Sequence, residues 1–528
     1  MDESAERTKV EWREWGAEAF AEAERENKPL LLSLVTRWGR RCREMDEGAF
    51  ADPRVAANLN EEFVPVRADA DRQPRVRERY NMGGFPSTVF LTPSGAHIAG
   101  ATHLDASGCR QVIERVHDVW AEKGADAARV PRALRDATPP AGEVSAEIER
   151  LVAGQLDEKF DSDFAGWGSS EKFPLPDTVE FALKRERYQA TATLDALERN
   201  LRADSGAFAR FAHGRDWSDP QREHILDTNA ALLRAYSHAY LVTGTDDYRS
   251  VASGLVDYLT GTLWTGDAFG NAELPEGGAV VDVDETAFAS GNARAADALA
   301  WFAAYTGDET AHRYAERTLD YLDSLVDDGR VPHFDAPESE SGLLADHAAV
   351  TRAYATAAQV LDRDYLDAAL AVADDAIDRL QEANGAFRDG PTEGVGLLDR
   401  PLHPIDDNAT LANALVDLRY LADDTRYREA ANDAIAAFAG AADRMGVQVA
   451  GYATAASRLT TRPLTLEVGA GTESDLHRAA LRLADHEKVV VPDAPDVAEG
   501  TARVVTDSGT HDGAETPEEL ADLVADAV

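Results

Sequence analysis

The sequence predicts a multidomain chain: an α/β segment, then an all-α, (α/α)6-type toroid of helical hairpins, then a small α/β appendage. Three observations lead there. Short apolar runs alternate with helical spacing over the first 125 residues. From about 143 to 460 a helical-hairpin pattern recurs, its units starting at Asn229, Asn292, His347 and Asn408, which are 63, 55 and 61 residues apart. Beyond 461 strand-like runs return. The expected domains are therefore 1–125, a linker at 126–142 rich in Ala, Arg and Pro, the toroid at 143–460 and the appendage at 461–528.

In the first segment, 14–27 has helical spacing and Pro29 ends it. The run LLLSLV at 30–35 is apolar throughout, as a strand buried on both faces requires. A helix over 41–60 and strands at 63–67, 88–91 and 97–101 follow, with a closing helix at 107–122. This order, with Gly84-Phe85-Pro86 just before a strand, is the thioredoxin layout. In the toroid each unit is a helix, a turn and a second helix. One hairpin cannot bury both faces, so neighbours must stack. Four units are clear, and weaker ones lie near 176–203 and 430–459. At 465–472 the segment TLEVGAGT ends in a lone glycine loop without a P-loop lysine, which reads as a turn.

Composition narrows the function classes. Asp and Glu number 96 against 53 Lys and Arg, a net charge of −43; seven of the cations are Lys and 46 are Arg. A field this negative repels nucleic acid and anionic membrane. The acidic residues run along the whole chain, and with so little Lys this resembles a salt-in halophile surface, where molar salt shortens the Debye length to roughly 3 Å. No apolar stretch is long enough for a membrane helix. The polar N-terminus lacks a leader pattern, so a cytoplasmic protein is expected. Two Cys exclude a disulfide scaffold and a cysteine-based metal cluster, and neither metal nor cofactor is expected.

Dithiol exchange needs two thiols one helical turn apart at a helix N-terminus. Here the segment reads Trp38-Gly39-Arg40-Arg41-Cys42, with Gly39 in the place of the first thiol. Flanking Arg37, Arg40, Arg41 and Arg43 would favour a Cys42 thiolate, giving a monothiol; the structural alternative is an inert, partly buried Cys. Phe85-Pro86 fits the cis-proline loop that faces such a motif.

The stretches VEWREW at 10–15, NKPLLLS at 27–33, CREM at 42–45, FADP at 50–53, LNEEFVPV at 59–66 and GGFPSTVFLTP at 83–93 resemble the spermatogenesis-associated thioredoxin-like family. GWG at 166–168, KFP at 172–174, GAF at 206–208 and Asp219-Pro220 continue the match. The resemblance implies a thioredoxin-like domain joined to a six-hairpin toroid. Many members carry Cys-His-x-Cys-His where this chain has Gly39-Arg40-Arg41-Cys42-Arg43, so the resemblance implies no intact dithiol here.

The toroid offers a different site. Glu223, Asn229, Asp284, Asn292, Asp346, His347 and Asn408 fall near inner-helix starts. Helix capping explains some of these. The functional alternative makes Glu223 with Asp284 or Asp346 an acid–base pair, and Asn229, Asn292, His347 and Asn408 ligand-binding residues. Trp217, Trp264 and Trp301 are candidate stacking surfaces. Three functions stay open: a toroid binding a small polar or carbohydrate-like ligand, with sugar isomerase, epimerase or glycosidase chemistry if it is an enzyme; a module holding a protein client against Trp38 and Pro86; and a Cys42 monothiol.

Overall fold

The structure is a computed structural model that describes residues 8–135, 138–274 and 282–527. The chain divides into two compact units. The first comprises Met1–Thr138, Leu274–Asp284 and Asp389–Leu402; the second holds the remainder.

The first unit is built on a five-stranded sheet: β1 (Arg13–Glu14), β2 (Leu30–Val35), β3 (Val64–Asp69), β4 (Ser87–Leu91) and β5 (His97–Ala101), in the order β1-β3-β2-β4-β5. Strand β2 is central, parallel to β3 (Leu32 opposite Val66) and antiparallel to β4 (Leu32 opposite Val89). Its pleat sends Leu30, Leu32 and Leu34 into one core and Leu31 into another, which explains the unbroken apolar run. The flanking helices are α1 (Ala17–Glu26), α2 (Arg40–Glu47), α3 (Pro53–Glu62), α4 (Pro74–Tyr80) and α5 (Ala106–Lys123).

The single helix expected over 41–60 is two. Gly48 ends α2. Asp52 then caps α3, its Oδ1 accepting from the Arg54 and Val55 N–H groups at 2.9 and 3.0 Å, and Pro53 takes the first helical position. The peptide Phe85-Pro86 is cis. The segment read as a linker is partly structured: Arg129 bridges to His97, and Leu134, on the short helix α6 (Arg132–Arg135), is buried in the core.

That core also takes in Leu397 and Leu398 from far along the chain. Arg79 holds their segment. Its five N–H donors meet five acceptors: both Asp389 carboxylate oxygens at 2.6 and 3.2 Å and the carbonyls of Leu397, Arg400 and Arg75 at 2.8, 2.7 and 3.1 Å. Arg75 donates to the Glu393 and Leu398 carbonyls. Gly396 has φ +65, and a Cβ there would lie 2.6 Å from the Tyr80 hydroxyl, so the close approach requires glycine.

The second unit is a closed ring. Helices α8 (Pro176–Arg185), α10 (Leu226–Thr243), α12 (Ala289–Thr306), α14 (Leu344–Val360), α16 (Ile405–Leu421) and α18 (Ala450–Thr460) each pack on the next, and α18 returns to α8. Outside them lie α9 (Arg187–Leu201), α11 (Asp246–Tyr258), α13 (Glu309–Leu325), α15 (Tyr365–Leu380) and α17 (Thr425–Ala436), each against the inner helix before it. The sixth outer partner is α7 (Ala146–Lys159), which packs on α18. The last hairpin is thus not local to 430–459: the first helix of the unit pairs with its last inner helix and closes the ring.

The appendage belongs to this unit. Its four-stranded sheet has the order Val489–Val491, Thr465–Val468, Ala502–Thr506, Gly509–Ala514, with helices α19 (Asp475–Leu481) and α20 (Pro517–Ala527). It is tied to inner-helix C-termini. His477 Nε2 meets the Gln359 carbonyl at 2.8 Å, and Gln359 Oε1 accepts from the Val490 N–H at 3.0 Å.

Candidate functional site

The residues expected to bind ligand do sit in the first turns of inner helices, but their side chains bond to backbone. The Asn229, Asn292 and Asn408 Oδ1 atoms accept from the N–H of Phe208, Phe269 and Phe387 at 2.7, 2.8 and 2.8 Å. Their Nδ2 groups donate to the carbonyl four residues back and to that of the same Phe. Each amide clamps the turn preceding its helix. His347 repeats half of this, its Nδ1 meeting the Leu343 carbonyl at 2.9 Å, while Nε2 pairs with Asp375 at 3.0 Å.

The three candidate acids each have partners of their own. Glu223 Oε2 lies 3.9 Å from Arg210 Nε, ahead of α10. Asp346 pairs with His333 Nδ1 at 2.9 Å and accepts from the Ser290 N–H. Asp284 belongs to the first unit, where Arg37 donates to it at 2.7 Å.

A cavity of about 80 Å³ instead opens inside the ring, with Asp177, Glu180, Arg234, Trp301, Arg352, Asp417, Arg458 and Lys488 in its wall. Taken in order round the inner helices, charged residues alternate in sign: Glu180, Arg234, Asp297, Arg352, Asp417, Arg458. All but Asp297 line the cavity, and Asp297 stands behind Arg234 and Arg352, while Asp177 and Asp406 add two further acids to the wall. Arg234 donates to Glu180 at 2.7 Å and lies 3.0 Å from Asp297. Arg352 stands 3.3 Å from Asp297 and 3.7 Å from Glu180. Thr356 donates to Asp297 at 2.7 Å, and Arg458 pairs with Asp417.

Burial raises the Glu180 carboxyl above the usual carboxylate range, and Asp177 adds to the rise against the pull of Arg234. Burial raises Asp297 in the same way. The buried Trp301 Nε1 has no hydrogen-bond partner among the described residues.

The sequence held a signal for this ring that pattern reading missed. Arg234, Asp297, Arg352 and Asn413 each follow the repeated Asn229, Asn292, His347 or Asn408 by five residues. Five residues turn a helix about 140° from the starting direction. The clamp side chain points back to its own turn, and the fifth residue beyond it points into the ring.

At the base of the cavity His486, Glu487 and Lys488 enter from the appendage. His486 Nε2 meets the Glu180 carbonyl at 3.0 Å, and Glu487 pairs with Arg185 and, at 3.3 Å, with Lys184.

In the first unit the thioredoxin-type motif is enclosed. Trp38 is buried, and its Nε1 donates to Asp71 Oδ2 at 2.7 Å. Gly39 precedes α2, and a Cβ there would lie 2.6 Å from Thr36 Oγ1 and 2.8 Å from Cys42 Sγ. The thiolate expected from the neighbouring arginines is not supported. Burial pushes the Cys42 thiol up to about 11, and bonds from Thr36 only partly offset it.

Residues 3–137 match the family model described as Thioredox_DsbH, "Protein of unknown function, DUF255". This segment is a domain of that family. Over about half of its length the chain is similar to spermatogenesis-associated protein 20. It is 28% identical to the human protein and 29% to the rat protein over 292 residues, 48% of this chain and 37% of each relative. The match thus spans little more than a third of those relatives' length. A stretch of 104 residues is 30% identical to thiol:disulfide interchange protein DsbD 1 of Pseudomonas aeruginosa, covering 18% of this chain and 17% of that one. Among solved structures, a D-mannose isomerase covers 59% of this chain and 88% of its own at TM-score 0.47 and 14% identity. A sugar epimerase from a ruminal bacterium covers 55% and 85% at 0.46 and 13%. Among the described residues no helix is long and apolar enough to cross a membrane.

Proposed function

We propose that the toroid binds a small polar, polyhydroxylated ligand in the cavity inside its inner ring, and that the thioredoxin-like domain has lost dithiol exchange. The observation that carries the first part is the set of carboxylates and guanidinium groups, Glu180, Arg234, Arg352, Asp417 and Arg458, lining one cavity beside Trp301. Closely spaced donors and acceptors with an aromatic wall suit a ligand that is polar at its edges and apolar on its faces. Arg352 holds its carboxylates only at 3.3 and 3.7 Å, which leaves donors for a ligand. Glu180, raised by burial, is the group suited to proton transfer near neutral pH, the role the sequence reading gave to Glu223 and its partners. Loss of exchange rests on Gly39 and the buried Cys42. The burial of Trp38 removes much of the surface a client-holding module would need. The acidic, Lys-poor composition supports salt adaptation, and the negative field disfavours nucleic acid and anionic membrane.

The test is a thermal-shift screen of neutral aldoses and polyols on the full chain. At least one compound raises the melting temperature with saturable dose dependence, as a ligand of the native state must. Arg352→Met abolishes that shift while its own melt without ligand stays close to wild type. No shift from any compound, or an undiminished shift in Arg352→Met, would overturn the reading.

A further inference from the structure

Lys488 stands apart from the other six lysines of the chain. Lys172 is buried against Asp161 at 3.0 Å. Lys28, Lys159 and Lys184 pair with carboxylates at the surface. Lys9 and Lys123 are exposed. Lys488 is 3% exposed, lines the toroid cavity and makes no ion pair among the described residues. Its Nζ donates to two backbone carbonyls, Leu483 at 3.1 Å and Asp485 at 3.0 Å. The neighbouring Asp485 carboxylate is engaged by Lys184 at 2.9 and 3.0 Å. The rings of Trp301 and Tyr305 flank the nitrogen at 5.9 and 5.6 Å.

Two carbonyl acceptors take two N–H bonds of an amine. The third tetrahedral direction on nitrogen is left, and the side chain borders the cavity. We propose that Lys488 is a carbonyl-capturing amine, forming an imine with an aldehyde-bearing ligand inside the toroid.

The inference rests on the cavity being a ligand site and adds the ligand's reactive group: a free or ring-opened aldehyde, as a short aldose presents. Nitrogen adds to the carbonyl carbon and forms a C–N bond. The carbonyl oxygen then leaves as water with two protons from nitrogen, and the imine remains. Nothing is oxidised or reduced, and no co-reactant is required. The environment supports the step, because burial lowers the Lys488 ammonium to about 7 and so supplies neutral amine near neutral pH. An appendage that delivers one lysine to the base of the ring also gains a function beyond closing it.

The experiment uses the intact chain, with glycolaldehyde as probe and sodium cyanoborohydride to trap the imine as a secondary amine. The site is read by peptide mass mapping at pH 7. Lys488 is expected to acquire the reduced adduct at least about tenfold faster than Lys9 and Lys123, because an exposed lysine with a pKa near 10.4 is almost wholly protonated there. A polyol that raises the melting temperature slows labelling of Lys488 and leaves Lys9 and Lys123 unaffected. Labelling of Lys488 at or below the rate of Lys9 overturns the proposal. If polyols still raise the melting temperature in that case, the cavity reading stands and imine capture alone falls. If neither labelling nor a shift is seen, both fall.

Discussion

Arg79 in the first unit and Arg352 in the second are both arginines set against carboxylates in an interior, and their neighbourhoods differ in one respect. Every N–H of Arg79 has an acceptor, and Asp389 receives it with both oxygens. Arg352 faces two carboxylates that Arg234 already engages, at distances too long for a full set of bonds, and it borders a cavity. A saturated buried pair holds chain segments together; an unsaturated one beside open space can receive a ligand. The largest expected effect follows. Arg79→Met leaves Asp389 buried without its partner and should cost about 3–5 kcal/mol. Chemical unfolding of the full chain checks this, with Arg352→Met as comparator at a clearly smaller loss, because Arg234 still engages both Glu180 and Asp297 in that variant. Equal losses in the two variants would break the comparison.

Cys42 sharpens the same contrast, because enclosure removes reactivity where no cavity accompanies it. With the thiol at about 11, its thiolate is scarce at pH 7. Alkylation by iodoacetamide in the native chain should therefore run at least about a hundredfold slower than for an ordinary thiol of pKa near 8.5. Reductase turnover with dithiothreitol should not exceed background. Mass spectrometry of the Cys42 peptide over time gives the rate, and alkylation as fast as that of free glutathione would restore the monothiol reading.

Where one physical rule dominated, the sequence was legible. The β2 run is apolar because both sheet faces are covered, and the toroid repeats because each hairpin needs a neighbour. Position was harder to read than type. Asn229, Asn292 and Asn408 were located at the starts of inner helices, yet from sequence an amide clamping a turn looks the same as one awaiting a ligand. The charged ring went unnoticed because its members differ in type, Arg, Asp and Arg at matching positions, so no single residue repeats. The pairing of α7 with α18 and the capture of Leu397 and Leu398 by the first unit are contacts across hundreds of residues, which local periodicity does not encode. The break between α2 and α3 was readable, since Asp52-Pro53 is a capping pair.

The smallest effect concerns Asp69, at the end of β3, where the first unit holds acid near acid. Its Oδ1 accepts from the Asp71 and Arg72 N–H groups at 2.9 and 3.3 Å. Burial pushes its carboxyl up to about 7, and the Asp71 and Asp284 carboxylates add to the rise against those two bonds. The sign follows from linkage. A carboxyl raised in the folded state binds its proton more tightly there than in the unfolded chain. The stability it contributes is complete below the unfolded value near 3.9 and is lost as the pH rises through about 7. At pH 8 the native state holds a carboxylate it would rather protonate. Asp69→Asn keeps the oxygen that accepts both N–H bonds and removes the charge. The variant should exceed wild type by about 1–2 kcal/mol at pH 8, the full shift being discounted for solvent screening. Near pH 4, where wild-type Asp69 is already neutral when folded, the difference should vanish. Thermal melts of both proteins between these limits trace the crossover. A variant less stable than wild type at pH 8 would mean that the Asp69 charge is held by a cation, and the contrast with the alternating ring of the toroid would narrow to cavity access alone.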